Sequence, residues 1–324
     1  MYTLLEAQNL IEKHIQNLSI PDAPPELYEP VKYVLSLGGK RIRPALVILS
    51  CDLFSGAVES ALIPAVAIEV FHNFTLVHDD IMDRSEIRRG QATVHIKYNK
   101  NVAILSGDVM SILASRLINQ SPGVVLNTVH DIFTKTAMEV CEGQQMDMNF
   151  EDQLMVSGEE YMRMIQLKTA VLIAASLKIG AILGGASQTD ANDLYEFGKN
   201  LGMAFQLQDD LLDTYGDPGI MGKQLGTDIV DNKKTFLMIT ALENSSPDQK
   251  KELIDWITNK YFNREEKVSA VTAIFDDLGI KELTEIRIRE FYEKALANLS
   301  HLNRPEERKT QLFNFASFLM NRNK

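Results

Sequence analysis

The stretch FHNFTLVHDDIMDRSEIRRG, residues 71–90, ends an apolar run on Asp79, Asp80 and Asp83 and then reaches Arg88 and Arg89. Side chains four apart in a helix share a face, so Asp79 and Asp83 project together. Like charges at that spacing destabilise an isolated helix by a few tenths of a kcal/mol, roughly. The pattern returns in FQLQDDLLD, residues 205–213, where Asp209 pairs with Asp213. A salt-bridged surface helix would explain one copy. Two copies on otherwise apolar helices (Phe71 to Val77; Leu201 to Leu207) point instead to acids facing a cavity. Oxygen donors without His or Cys suit magnesium, which binds through a few carboxylates together with substrate phosphates. Neither stretch alternates acids around a sixth-position glycine, which excludes a calcium EF-hand.

Outward from these segments the same period persists. Leu4, Ala7, Leu10, Ile11 and Ile15 make one helical face, and Leu312, Phe315, Ala316 and Leu319 make another. Turn chemistry interrupts at Pro21–Pro25, Gly38–Gly39, Ser55–Gly56, Ser121–Gly123, Ser157–Gly158, Gly184–Ser187, Gly216–Gly222, Ser245–Pro247 and Asn303–Pro305. Strand signals are almost absent, and no fixed-period repeat occurs. The expectation is one all-α domain over residues 1–324, with ten or more helices.

Composition narrows the classes. The chain has 324 residues, 45% of them hydrophobic and 24% charged, and a net charge of −11, which argues against a general nucleic-acid binder. Cys51 and Cys141 make no disulfide framework, so a reducing, cytoplasmic setting is expected. The N-terminus MYTLLEAQNLIEKHI is neither a signal nor a transit peptide. The longest apolar run, Thr169 to Ala186, carries Lys178 at its middle. It reads as a central bundle helix rather than a membrane span, since no second such run is read from the sequence.

Acids alone would hold metal to no purpose, so the cations matter. LGGKRIRP supplies Lys40, Arg41 and Arg43 after a Gly-Gly turn that lets the backbone approach a ligand closely. QLKTA supplies Lys168 and Thr169, GKQLG supplies Lys223, and DNKKT supplies Lys233 and Lys234. Guanidinium forks and ammonium groups both suit phosphate oxygens. His72 lies two turns before Asp79 on the same face.

GGKRIRP, LVHDDIMD followed by RRG, KTA, FQLQDD and GKQLGTDI…NKKT resemble, in order and spacing, the trans-prenyl diphosphate synthases. The resemblance runs from about residue 38 to 236. It implies a homodimeric all-α enzyme, each subunit a single large helical bundle around a deep central cavity, the isoprenoid synthase fold, with two Asp-rich helices facing each other. The implied reaction condenses isopentenyl diphosphate head-to-tail with an allylic diphosphate (dimethylallyl, geranyl or farnesyl) and releases pyrophosphate. Asp79, Asp83 and Asp209 would hold three magnesium ions. Arg88, Lys168, Thr169, Gln206, Lys223 and Lys233 resemble the allylic-site contacts, whereas Lys40, Arg43, His72 and Arg89 resemble the isopentenyl diphosphate pocket. Asp80, Asp210 and Asp213 complete the motifs in supporting positions.

The resemblance also bears on product length, which the family limits with bulky side chains just before the first Asp. Phe74 stands five residues before Asp79 and Thr75 four, with Phe71 a turn further down. That combination is similar to makers of twenty-carbon geranylgeranyl diphosphate, with fifteen-carbon farnesyl diphosphate next. A terpene cyclase of the same fold would have no use for GGKRIRP and the arginine pair, and a non-catalytic partner subunit usually loses the acids. In some relatives a basic tail closes the isopentenyl diphosphate site; here Arg322 and Lys324 are the corresponding cations, and a frayed tail is the simpler expectation.

Overall fold

A computed structural model describes residues 1–217 and 224–321. Lys223 and the tail cations Arg322 and Lys324 lie outside the described residues. The described chain is all-α apart from one two-stranded hairpin. It divides into two compact units, each drawn from separated parts of the sequence.

The first unit comprises Met1–Ala137, Leu172–Tyr195 and His301–Leu312. Its leading helices are α1 (Leu4–Gln16), α2 (Pro25–Ser36), α3 (Ile42–Phe54) and α4 (Glu59–Met82). Thr3 and Glu6 close a capping box at the start of α1, which buries Ala7, Ile11 and Ile15. The middle of helix α4 is covered all round: its residues from Ala65 to Phe71 are buried, with α1, α3 and α6 (Lys100–Ile118) packed against the helix. A helix apolar all round belongs at the centre of its neighbours. The hairpin β1 (Ile87–Arg88) and β2 (Gln91–Ala92) follows α4, and the short α5 (Val94–Lys97) leads into α6.

The second unit comprises Met138–Val171, Glu196–Ser300 and the residues from Phe313 onward. It holds the end of α7 (Leu126–Glu151), α8 (Gly158–Ile165), a π-helical turn at Gln166–Ala170, and the C-terminal part of α10 (Gln188–Tyr215), α9 being Val171–Leu183. It also holds α11 (Thr227–Val230), α12 (Phe236–Asn244), α13 (Pro247–Thr258), α14 (Arg264–Asp277) and most of α15 (Ile280–His301). Leu207, Leu211, Leu237 and Phe275 centre its core. On the final helix, α16 (Glu306–Met320), the face formed by Leu312, Phe315, Ala316 and Leu319 is buried as the periodicity requires.

One expectation needs correcting. Among the described residues three helices, not one, are long and apolar enough to cross a membrane: Glu59–Met82, Lys100–Ile118 and the continuous Gly158–Leu183. Glu69, His72 and Asn73 break the apolar run of the first. Protein packing covers 61% of the apolar window in Glu59–Met82 and 72% in Gly158–Leu183, but only 39% in Lys100–Ile118.

Candidate active site

The first acid pair sits where α4 runs out. Asp79 and Asp80 lie in its last turn, and Asp83 caps it, donating its backbone N–H to Asp79 O at 2.8 Å. A helix C-terminus carries partial negative charge, so three carboxylates there are disfavoured twice, by each other and by the dipole. The chain answers within ten residues. Arg84 turns in the left-handed region (φ +53°), and the hairpin folds back with Arg89 and Gly90 both left-handed (φ +54° and +74°), the geometry of a type I′ turn. Arg88 is thereby returned to the acids: its Nε donates to Asp80 Oδ1 at 2.7 Å and its Nη2 to Asp79 Oδ2 at 3.5 Å. Burial pushes the Asp80 carboxyl above its ordinary value, and Arg88 opposes that push.

A second cluster of this unit gathers around GGKRIRP. Arg43 donates Nη1 to His72 Nε2 at 3.2 Å. Burial first, then Arg43 and Arg89, hold the His72 imidazole well below its usual range, so it is neutral and accepts on Nε2. The sign for stability follows: below pH of about 6.5 the unfolded chain binds a proton that the folded chain refuses. His72 should therefore subtract stability as pH falls through that region, by up to about 1.4 kcal/mol per unit and less for a partly buried ring. Melts of the native chain and His72→Gln between pH 7.5 and 5.5 would check it; parallel pH slopes would contradict it.

Arg89 donates Nη1 to Gly38 O, and its guanidinium lies over Gly39, where a Cβ would come within 2.8 Å of Cζ. The close approach expected at the Gly-Gly turn is thus to Arg89. Arg41, although it lies in the same motif, turns the other way. It caps α3 in the left-handed region (φ +44°) and donates to Glu12 at 2.9 Å, Glu69 at 2.6 Å and Leu35 O at 2.8 Å. With 4% exposure it is a core ion pair, not a ligand contact. Lys40 is exposed, its carbonyl accepting from Gln8.

In the second unit α10 carries Gln206, Asp209, Asp210 and Asp213. Asp210 is buried and accepts from Tyr161 Oη, Phe236 N at 3.2 Å and Gln206 Nε2 at 3.3 Å. Burial raises its carboxyl to about 6 despite these donors, and the Tyr161 phenol is pushed well above its ordinary value. Asp213 accepts the Asp228 N–H at 2.9 Å. These two acids therefore tie α10 to residues 228–236.

Lys168 and Thr169 stand on the π turn. Such turns widen a helix by one residue and occur often at functional positions. Gly143 of α7 makes room for it: a Cβ there would lie 2.3 Å from Lys168 N. Thr169 Oγ1 donates to Gln206 Oε1 at 3.1 Å, and Lys168 Nζ meets Asp147 at 2.5 Å. Asp147, Tyr161 and Glu69 were not anticipated from the sequence. Among the described residues no group of three or more His, Cys, Asp or Glu side chains is clustered to hold a metal by itself.

The polyprenyl synthetase family profile matches residues 24–275. A geranylgeranyl diphosphate synthase of Sulfolobus acidocaldarius is 43% identical over 254 residues, 77% of each chain. A geranylfarnesyl diphosphate synthase of Aeropyrum pernix is 35% identical over 289 residues, covering 87% of this chain and 89% of its own. A crystal structure of a geranylgeranyl pyrophosphate synthase superposes with a TM-score of 0.95 at 41% identity, covering 100% of both chains. The chain belongs to the polyprenyl synthetase family, has its all-α isoprenoid synthase fold, and is a trans-prenyl diphosphate synthase.

Proposed function

We propose that the chain condenses isopentenyl diphosphate with allylic diphosphates and stops mainly at twenty-carbon geranylgeranyl diphosphate. The observation that carries the site assignment is the Arg88 bridge: one guanidinium beside Asp79 and Asp80 supplies fixed positive charge where a diphosphate would also meet metal. Asp79, Asp83 and Asp209 fit magnesium in their chemistry, being hard oxygen donors. Magnesium completes its shell with substrate phosphate oxygens, so a few carboxylates suffice to hold it. Magnesium, when bound, neutralises the charge that builds on the departing diphosphate.

The chain's own groups do the rest. Arg88, Lys168, Lys233 and, outside the described residues, Lys223 bind allylic diphosphate oxygens; Thr169 and Gln206 orient them. Cations aimed at charge that develops late favour the transition state over the ground state. Arg43, Arg89, Lys40 and neutral His72 hold isopentenyl diphosphate. The apolar walls of α4 keep water from the allylic carbocation. The alkene carbon attacks that cation, and the proton lost from the adduct passes to the departing pyrophosphate.

Incubation with magnesium, isopentenyl diphosphate and each allylic diphosphate tests this. Pyrophosphate release only when both substrates are present is expected. Release from the allylic diphosphate alone, with a hydrocarbon product, would make the protein a cyclase; no release would make it non-catalytic.

We further propose a homodimer through α6, whose outward stripe leaves Ile104, Leu105 and Ile112 exposed by 40, 56 and 68%. Sedimentation should give twice the 36.4 kDa chain mass, and Ile112→Glu should halve it. A native monomer would rule the dimer out.

A further inference from the structure

Lys267 is fully buried, at 0% exposure, in the first turn of α14. Both facts count against it, since burial disfavours an ammonium and a helix N-terminus repels a cation. Burial pulls its ammonium below the ordinary lysine range, while Asp231 opposes the pull. What compensates is a set of three contacts. Lys267 Nζ donates to Asn232 Oδ1 at 2.6 Å and to Val230 O at 3.3 Å, and lies 4.2 Å from the centroid of the Phe262 ring. Val230 ends α11, so the ammonium meets the negative end of that helix.

These acceptors frame the turn before the lysine pair. Asn232 is left-handed (φ +56°), its N–H donating to Ile229 O at 3.3 Å, and the Lys233 N–H donates to Asp228 O at 2.9 Å. Lys234 Nζ donates to Asn232 O at 3.2 Å. At the far end of the segment Asp210 accepts the Phe236 N–H at 3.2 Å. Lys233 thus stands between a point fixed by Lys267 and a point fixed by Asp210.

We propose that Lys267 is a positioning residue for allylic diphosphate binding: by gripping Val230 O and Asn232 Oδ1 it fixes the left-handed turn that places Lys233. This rests on Lys233 binding that diphosphate. Lys267→Met keeps the stem and removes the ammonium. It should raise the Michaelis constant for farnesyl diphosphate about tenfold, the effect of losing one charge-assisted contact, and change that for isopentenyl diphosphate by less than about twofold. Adding Asn232→Gly should recover most of the loss, because glycine takes the left-handed turn without strain and leaves no amide behind. A merely structural role would lower the melting temperature and move both constants together, without recovery. Either that pattern or unchanged constants would overturn the proposal. If Lys267→Met does not fold, Asn232→Ala carries the test with the same selective rise expected; no rise overturns it. Lys233→Gln separates the two assignments. If it too leaves the farnesyl diphosphate constant unchanged, Lys233 has no diphosphate role and the proposal falls with it. If it raises the constant while Lys267→Met does not, only the proposal falls.

Discussion

Asp79→Ala and Asp209→Ala should each lower turnover about a thousandfold, because metal-assisted departure of the diphosphate contributes about 4 kcal/mol to the barrier. The fold should hardly notice. At Asp79 the substitution removes one carboxylate from a crowded helix C-terminus and costs a 3.5 Å contact to Arg88, which keeps its 2.7 Å bond to Asp80. Repulsion relieved and attraction lost are each of order 1 kcal/mol at a partly exposed site, so melting temperature should move by only a few degrees. Asp80→Ala is the instructive contrast. It takes from Arg88, which is 30% exposed, its 2.7 Å bond and leaves the 3.5 Å contact to Asp79, so it should cost binding through that guanidinium even though Asp80 is not assigned a metal. Near-normal turnover of Asp79→Ala in chelator-treated buffer would remove the metal role from the first motif.

How far these roles were legible depends on whether the signal was periodic. Helices α4 and α10 declare themselves because acids four apart recur on two apolar runs, where one copy alone would fit a salt-bridged surface. The π turn does not, since one extra residue in QLKTA leaves no mark on composition, and only the facing Gly143 hints at the crowding. The hairpin is too short for alternation to show, two residues per strand, and Arg89-Gly90 is its only trace. Arg41 and Arg43 illustrate the limit best. They sit two apart in one motif, yet one guanidinium enters a core pair with Glu69 and the other faces His72. Those partners lie 28 and 29 residues away in sequence, so nothing local distinguishes the two arginines. Buried Lys267 was equally invisible, because REEKVSAV reads as an ordinary charged first turn.

We propose that product length is set by a short aromatic stack along α4. Phe74 lies five residues before Asp79, roughly 7.5 Å down the helix. Its ring meets His78 at 4.8 Å and Phe71 at 5.4 Å between centroids, and Phe71 meets Phe133 edge-on at 5.4 Å. The two phenylalanines differ in burial: Phe71 is 2% exposed, whereas Phe74 is only partly covered. On that proposal Phe74 is the ring a growing chain would meet, and Phe71 with Phe133 is the packed layer behind it. Thr75 contributes less bulk, and its hydroxyl is turned back onto His72 O at 2.8 Å. Removing a phenyl ring frees a volume comparable to about one isoprene unit, so Phe74→Ala should shift the main product from twenty to twenty-five carbons and no further. Phe71→Ala alone should cost about 3 to 5 kcal/mol of stability, as a core truncation does, with little change in product. The double variant should lengthen products beyond twenty-five carbons, because the second layer is then open too. The relatives make this a narrow contest, since geranylgeranyl and geranylfarnesyl synthases are both similar to this chain. Chromatography of dephosphorylated products decides it: native products of twenty-five carbons or more, or an unchanged distribution in Phe74→Ala, would place the floor on other side chains than this stack.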